Sequence, residues 1–415
     1  MPSAQRGVMT GLTKKIDVDE LEVGMFLEDV FNDRGIFLLS AKTMLTSPQQ
    51  ILMLKKQGVR SVFINLDKGK DVDPVRRPPG QTSSGGIKQF TAEQETEYYN
   101  ELPRAREVRR QTLDTAKEAL VAIKSNRPFA VDKIERASED VVKSILRNPD
   151  ALVSLCQIKG YDEYTYVHSI NVGMLMTSLA DSMGFDHHRL FIASMGGLLH
   201  DIGKMKVPDS ILNKPGKYAD WEFEVMKKHT VYGYELVRDK RNIPEQSKKI
   251  VLQHHERFNG SGYPYGLKGK DIDEFGLIAA VADVYDALTS DRVYRAAWTP
   301  QKALAMIFQG CDADYSRSIV ELFTKHLGVY PVGSFVRLMS GEMGIVTRVE
   351  KGQLLCPQVL VLFDRYGHRL DQPLEYDLAA KQKDPEGDLY KIEVSLNPKA
   401  YRIDVGKFLS QPLDL

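Results

Sequence analysis

The chain has 415 residues, 42% hydrophobic and 27% charged, with 56 Lys plus Arg against 56 Asp plus Glu. That apolar fraction supports real cores in two or three domains and excludes a disordered chain. A formal charge of zero excludes a protein that grips long nucleic acid by bulk charge, while leaving room for a local basic pocket around a small phosphate ligand.

Three scattered cysteines, Cys156, Cys311 and Cys356, indicate neither a disulfide framework nor a thiolate zinc cluster, so a reducing compartment is expected. Met1 to Lys15 carries basic residues without an apolar core of signal-peptide length, and no stretch approaches the ~18 apolar residues of a membrane span. The expected location is therefore the cytoplasm.

Residues 16 to 66 alternate short apolar runs (Met25-Phe26-Leu27, Gly35-Ile36-Phe37-Leu38-Leu39) with turn residues such as Asn32-Asp33-Arg34-Gly35, which predicts a β-hairpin unit. Ser47-Pro48 fits an N-cap and first helical residue, Ile51, Leu52, Leu54 and Lys55 fit the helix, and Gly58 ends it before a strand from Ser61 to Asn65. Between residues 69 and 86, nine of eighteen positions are Gly, Pro or Ser, the composition of a linker or flap. Thr91 to about Ser125 is helix-prone, with Leu113, Ala116 and Leu120 at helical spacing and Pro103 set to kink or divide it. Such a helix either connects and dimerises or simply packs on its own domain. From Lys133 to Gly328 the pattern is helical, broken at Asn148-Pro149, Gly160, Gly184 and a loop at 259 to 269. After Tyr330-Pro331, Ser334 to Leu338, Gly344 to Val349 and Gln358 to Phe363 are β-prone.

The expected architecture is mainly α. A small α+β domain (1–68) precedes a flexible linker (69–90) and connecting helices (91–132). An all-α domain (133–330) follows, then a β-rich extension (331–415).

Seven of the nine histidines fall in the 88 residues from His168 to His255, where even scatter would place about two. His168, His200-Asp201, His229, His254-His255 and Asp283 each lie in or at the end of a helical segment. Five imidazoles and two carboxylates exceed one tetrahedral zinc site and suit two octahedral ions, with Fe(II) or Mn(II) favoured over structural zinc by the nitrogen and oxygen donors. Adjacent helical residues diverge by about 100°, so His200 can serve one ion while the Asp201 carboxylate bridges to the other, and His254 and His255 can flank one. His187 and His188 are set aside: Asp186 reads as an N-cap, which leaves them exposed on the first turn. His326 and His368 are expected at the surface. Met174, Met176, Met183 and Met195 read as core, and Trp298-Thr299-Pro300 as a helix start of structural importance only.

His200-Asp201-Ile202-Gly203-Lys204 resembles the HD signature of metal-dependent phosphohydrolases. His254-His255-Glu256-Arg257-Phe258-Asn259-Gly260-Ser261-Gly262-Tyr263-Pro264 resembles the second signature of the HD-GYP cyclic di-GMP phosphodiesterases, and Asp283 to Arg292 is again similar to that family. The likeness covers roughly residues 135 to 330, and the N-terminal segment is similar to a domain of uncharacterised function that often precedes such modules.

The resemblance implies an all-α HD-type catalytic domain with metal ligands His168, His200, Asp201, His229, His254, His255 and Asp283. Some members use a Glu four residues before the first histidine to hold a third metal. Tyr164 stands there in this chain, with Glu163 a further 100° round the helix, so two divalent ions, Fe or Mn before Zn, are expected.

Hydrolysis of an anionic phosphodiester at neutral pH needs charge neutralisation and a ready hydroxide, and two cations supply both. The implied activity is hydrolysis of cyclic di-GMP to linear pGpG, with either pGpG or, after a second round, GMP as the final product, lowering this messenger in bacterial signalling. Asp201 and Lys204 are the implied catalytic residues, with Lys204 one turn beyond His200 and set to protonate or neutralise the leaving 3′ oxygen. Arg292 and Arg295, expected on one helical face, match phosphate-binding positions suited to bidentate contact. Gly262, Tyr263 and Pro264 form a stiff loop expected to shape the guanine pocket or to dock a partner. The competing readings are a non-catalytic cyclic di-GMP receptor or adaptor and an HD phosphohydrolase for another nucleotide. Candidate partners are diguanylate cyclase domains, other signalling proteins and a second copy of the chain.

Overall fold

The apolar runs near the N-terminus pair into an antiparallel sheet. Its strands are β1 (Thr13–Asp17), β2 (Phe26–Asn32), β3 (Phe37–Met44) and β4 (Val59–Asn65), in the order β1-β4-β2-β3. The computed structural model describes residues 13–32, 37–56, 59–65, 68–70, 92–157, 164–291, 296–349, 353–380, 383 and 390–409. Ile16, Met25, Leu27, Val62 and Ile64 are buried together, with Ile51 and Leu54 of helix α1 (Pro48–Lys56) packed on them. The side-chain oxygen of Gln50 accepts from the Thr46 and Ser47 amides at 2.8 and 3.1 Å, so the start of α1 is tied by Gln50 reaching back. Strand β1 was not among the predicted strands. Its one apolar residue, Ile16, carries no alternation, and pairing of Thr13–Asp17 with Asn65–Ser61 makes it a strand. The expected turn at Asp33 to Gly35, the helix stop at Gly58 and nearly all of the 69–90 linker lie outside the described residues.

Among the described residues from Ala92 to Ser334 the chain is mainly helical. Helix α2 (Ala92–Lys124) runs through Pro103 undivided, and its Leu102, Ala105, Ala116, Leu120 and Ile123 are buried. They sit against the helices that follow, so the segment packs on its own domain. Then come α3 (Val131–Arg147), α4 (Pro149–Cys156), α5 (Tyr164–Ser182), α6 (His187–Leu199), α7 (Asp209–Leu212), α8 (Asp220–Lys227), α9 (His229–Val237), α10 (Glu245–Gln253), α11 (Glu274–Thr289), α12 (Pro300–Gln309) and α13 (Arg317–Leu327). Their starts follow local rules: Asn148, Asp186, Asp273 and Thr299 each accept a hydrogen bond from a first-turn amide. Met174, Met176 and Met195 are fully buried and Met183 packs against the same core.

Close crossings fix how these helices meet. A Cβ on Gly197 would lie 2.5 Å from the Gly173 Cα, so α5 and α6 touch backbone to backbone. A Cβ on Gly196 would meet the Ile250 side chain at 2.2 Å, which brings α10 against α6. At Gly203 it would lie 1.9 Å from the His229 carbonyl oxygen. Only glycine permits that approach between the Ile202–Lys206 turn and α9.

Beyond residue 334, β5 (Phe335–Leu338), β6 (Met343–Arg348), β7 (Gln358–Phe363), β8 (Arg369–Asp377) and β9 (Ile392–Leu396) form a sheet in the order β8-β7-β6-β5-β9. Strands β8 and β9 went unpredicted; β8 exposes most of its side chains and shows little apolar alternation. A short helix, α14 (Val405–Phe408), follows. By contacts the chain forms two units. One takes in the chain to Gln89 with Phe335–Ile345 and Gln358–Asp404; the other comprises Phe90–Ser334, Val346–Pro357 and the chain from Val405. The fold is thus mainly α, an all-α helical domain with small antiparallel sheets in the N- and C-terminal regions. Among the described residues no helix is long and apolar enough to cross a membrane.

Candidate metal centre

Five helices deliver seven side chains to one place. His168 lies on the second turn of α5, His200 caps the C-terminus of α6, and Asp201 turns out of the helix with φ −100° and ψ 7°. His229 opens α9, His254 caps α10 with His255 next in the chain, and Asp283 sits inside α11. The ligand atoms form two groups, Asp201, His229, His254, His255 and His168, His200, Asp283, and within each every atom lies within 4.8 Å of the others. Asp201 stands between them. Its Oδ1 is 3.5 Å from His229 Nε2 and 3.7 Å from His254 Nε2, while Oδ2 is 3.3 Å from His200 Nε2 and 3.7 Å from His168 Nε2.

The hydrogen bonds on the far side of each ring decide which nitrogen faces inward. His200 Nδ1 is 2.7 Å from the Gly197 carbonyl, His229 Nδ1 2.7 Å from that of Met226, and His254 Nδ1 3.0 Å from that of Val251. A carbonyl only accepts, so in each ring Nδ1 carries the proton and Nε2 presents a lone pair. Two such lone pairs, on His229 and His254, face each other at 3.3 Å. They repel unless a cation lies between them. His200 Nε2 and Asp201 Oδ1 are buried without any hydrogen-bond partner, which costs free energy that a bound cation removes. The donor set therefore fits divalent metal on the chain's own geometry.

Electrostatics agrees for most of the site. Burial pushes His229 down to about 3. Burial likewise lowers His254 and His255, so three imidazoles stay neutral and able to coordinate. Burial opposes ionisation of Asp201, but Lys204 and His200 outweigh it and hold the carboxyl well below its usual range; for Asp283 the hydrogen bond from His168 does the same. His168 is the exception. Burial would lower it, yet hydrogen bonds to Asp283 and Asp286 raise it to about 9. A metal at this group must displace that proton.

A family model described as an HD domain matches residues 136–319, and one described as a domain of unknown function (DUF3391) matches residues 13–134. A Pseudomonas aeruginosa protein named as a cyclic di-GMP phosphodiesterase is 34% identical over 375 residues, spanning 85% of this chain and 86% of that protein. The chain belongs to the HD-GYP family of cyclic di-GMP phosphodiesterases. A Xanthomonas campestris cyclic di-GMP phosphodiesterase response regulator is 46% identical over 131 residues, covering 31% of this chain and 35% of that one. A Vibrio cholerae protein named as a 3′3′-cGAMP-specific phosphodiesterase is 37% identical over 163 residues, 39% of this chain and 31% of that one. As an HD domain the helical unit binds divalent metal, and the two His/Asp groups are able to hold it.

The HD-GYP loop is built against the centre by Glu256. Almost fully buried, its carboxylate accepts from the Tyr265 and Leu267 amides, both at 2.9 Å, and so holds the loop closed. Gly262 has no room for a side chain, since a Cβ would lie 2.3 Å from the Arg257 nitrogen. Pro264 follows in a cis peptide bond with Tyr263. The Tyr263 ring lies 4.8 Å from that of His255, centroid to centroid. Lys204, in the Ile202–Lys206 turn, donates to Asp201 Oδ2.

Of the residues expected at the site, Arg292 and Arg295 lie outside the described residues, and the helix expected to carry them on one face ends earlier, at Thr289. Glu163 is likewise outside them, and α5 begins at Tyr164. His187 and His188 are exposed as expected. His326 is half-buried and its Nε2 bonds to Ser178 Oγ at 2.7 Å, so its surface placement is corrected: the partner comes from α5, which spacing along α13 does not reveal. His368 is exposed beside Asp364.

Sequence reading passed over Asp286. Its carboxylate accepts from His168 Nδ1 at 2.8 Å and from Asn171 Nδ2 at 2.9 Å, and orients the His168 ring as carbonyls orient those of His200, His229 and His254. Its position three residues after Asp283, on the same helix face, was the available signal.

Proposed function

We propose that this chain hydrolyses cyclic di-GMP to linear pGpG and on to GMP at a pair of divalent ions, Fe or Mn in preference to Zn. His168, His200 and Asp283 would hold one ion and His229, His254 and His255 the other, with Asp201 able to serve both. The observation that carries the pair is the division of the two Asp201 oxygens between two separate histidine groups. Divalent ions so held supply a nucleophile near neutral pH and offset the charge of the phosphodiester.

The chain's own residues do the rest. Lys204, partly exposed and hydrogen-bonded to Asp201, holds a proton beside the site where the ribose 3′ oxygen must leave. Arg292 and Arg295 bind the phosphates. Gly262, Tyr263 and Pro264 form the wall against which the nucleotide sits. In this reading residues 1–68 tune the activity, residues 69–90 link, 133–330 catalyse with the 91–132 helices packed on that domain, and 331–415 extend the fold. The protein works in the cytoplasm, with diguanylate cyclase domains and a second copy of the chain as partners.

The test is anaerobic purification with Fe(II) or Mn(II), addition of cyclic di-GMP or 3′3′-cGAMP, and chromatography of the products. Formation of pGpG and GMP from cyclic di-GMP, abolished by Asp201→Ala, is expected. Nucleotide bound but returned intact makes the protein a receptor, and three tightly bound metals per chain would overturn the pair.

A further inference from the structure

Helix α8 runs straight into the ligand His229, with only Lys228 between Lys227 and that histidine. It buries Met226 with Val207 and Ile211, and it buries Glu222, which accepts from the Ala219 amide at 2.7 Å. Phe223 takes no part in that core: 43% of it is exposed, in a helix with a core available to it. Its ring is not isolated. It stands edge-on to Tyr263 at 6.3 Å and 84°, and Tyr263 in turn lies 4.8 Å from His255 and 6.3 Å from His229. An aromatic path therefore runs from two metal-group histidines through Tyr263 to a part-exposed phenyl ring. The Lys227 ammonium, paired with Glu224 at 2.7 Å, lies over the Phe223 ring at 4.9 Å from its centroid and 5.8 Å from that of Tyr263, so it covers one face of the phenyl ring and leaves the opposite face to a ligand.

We propose that Phe223 is the stacking platform for a purine base of the cyclic dinucleotide whose scissile phosphate sits at the His/Asp centre, with Lys227 flanking the same base. The inference rests on the hydrolysis reading above. It extends that reading from the phosphate to a base, which hangs one sugar away from its phosphorus. What marks Phe223 is its place, joined through Tyr263 to the His/Asp centre, where its ring can stack on the flat face of a purine. Stacking is indifferent to the exocyclic groups that separate guanine from adenine. Phe223 thus does not separate guanine from adenine, and discrimination between cyclic di-GMP and 3′3′-cGAMP belongs to hydrogen-bonding groups elsewhere.

The test compares Phe223→Leu, which keeps apolar volume without a π face, with Phe223→Trp, which restores one. The metal-loaded full chain is used, and calorimetric Kd is read beside KM and kcat for cyclic di-GMP and 3′3′-cGAMP. Phe223→Leu is expected to raise Kd and KM about tenfold for both nucleotides, to leave kcat within about twofold, and to melt with the wild type; Phe223→Trp is expected to bind at least as tightly as the wild type. Wild-type affinity in Phe223→Leu, or failure of Phe223→Trp to restore binding, overturns the platform. A wild-type protein that binds cyclic di-GMP without cleaving it sinks the activity alone, since the Kd comparison still reads the platform. One that does not bind it overturns both.

Discussion

Asp286→Asn isolates the role of a carboxylate that touches no metal ligand atom directly. The substitution keeps shape but replaces one of two acceptor oxygens by an NH2. In the native site both oxygens meet donors, His168 Nδ1–H at 2.8 Å and Asn171 Nδ2–H at 2.9 Å, with Ser290 Oγ at 3.3 Å. With the Asn171 amide as it stands, one buried donor faces another whichever way the new amide turns. If Asn171 keeps its acceptor, a His168 ring holding metal could recover a partner only by moving its remaining proton to Nε2, the atom that faces Asp283 at 3.0 Å and must stay free for metal. A buried unsatisfied donor costs about 1–3 kcal/mol. Loss of an orienting partner typically weakens a metal site about 10- to 100-fold, or about 1.4–2.7 kcal/mol, so the two estimates agree. Calorimetric titration of the metal-free protein with Mn(II) should show the weaker of two binding events fall by that factor, with the other little changed. Unaltered affinity together with a lower melting temperature would refute the argument and leave Asp286 as a staple between α5 and α11.

Three further outcomes are expected. Gly203→Ala sets a methyl group 1.9 Å from the His229 carbonyl oxygen, so α9 must shift; a lower melting temperature and metal affinity reduced more than tenfold are expected by calorimetry. Lys204→Met removes the proton held beside Asp201; kcat on cyclic di-GMP should fall about 10²-fold or more with metal content unchanged by atomic absorption. Buried Glu101 accepts from Arg147 at 2.6 and 2.8 Å and from Ser144 at 2.7 Å. Burial opposes ionisation, but these bonds prevail and hold the carboxyl below its ordinary 4.5. Its folded value lies below its unfolded one, so its contribution is present above the unfolded value and is lost as pH falls through the folded value. Glu101→Gln should cost roughly 1–3 kcal/mol in urea unfolding at neutral pH, and the gap from wild type should narrow between about pH 6 and about pH 3.

Much of this protein is legible along the chain because its causes are local. Asn148, Asp186 and Thr299 cap helices by bonding an amide three residues on, and that preference belongs to the side chain whatever surrounds it. The candidate ligands are legible for a related reason: five histidines and two acids crowded among apolar helices are costly to bury unless something such as a cation offsets their polarity, and the fold does bring them into two groups able to hold metal. Weaker patterns failed. Thr13–Asp17 and Arg369–Asp377 become strands only through partners elsewhere in the chain. Spacing likewise carried the expected helix past Thr289, where the structure ends it. Only the fold could decide how seven ligands divide into groups of four and three, because that depends on which helices cross at Gly197 and Gly203 and at what separation. The same holds for the His168 proton, set by Asp286 from 118 residues away. Coordination chemistry is written in side-chain types, whereas tautomer, pairing and the exposed face of Phe223 arise from contacts between elements that the linear order keeps far apart.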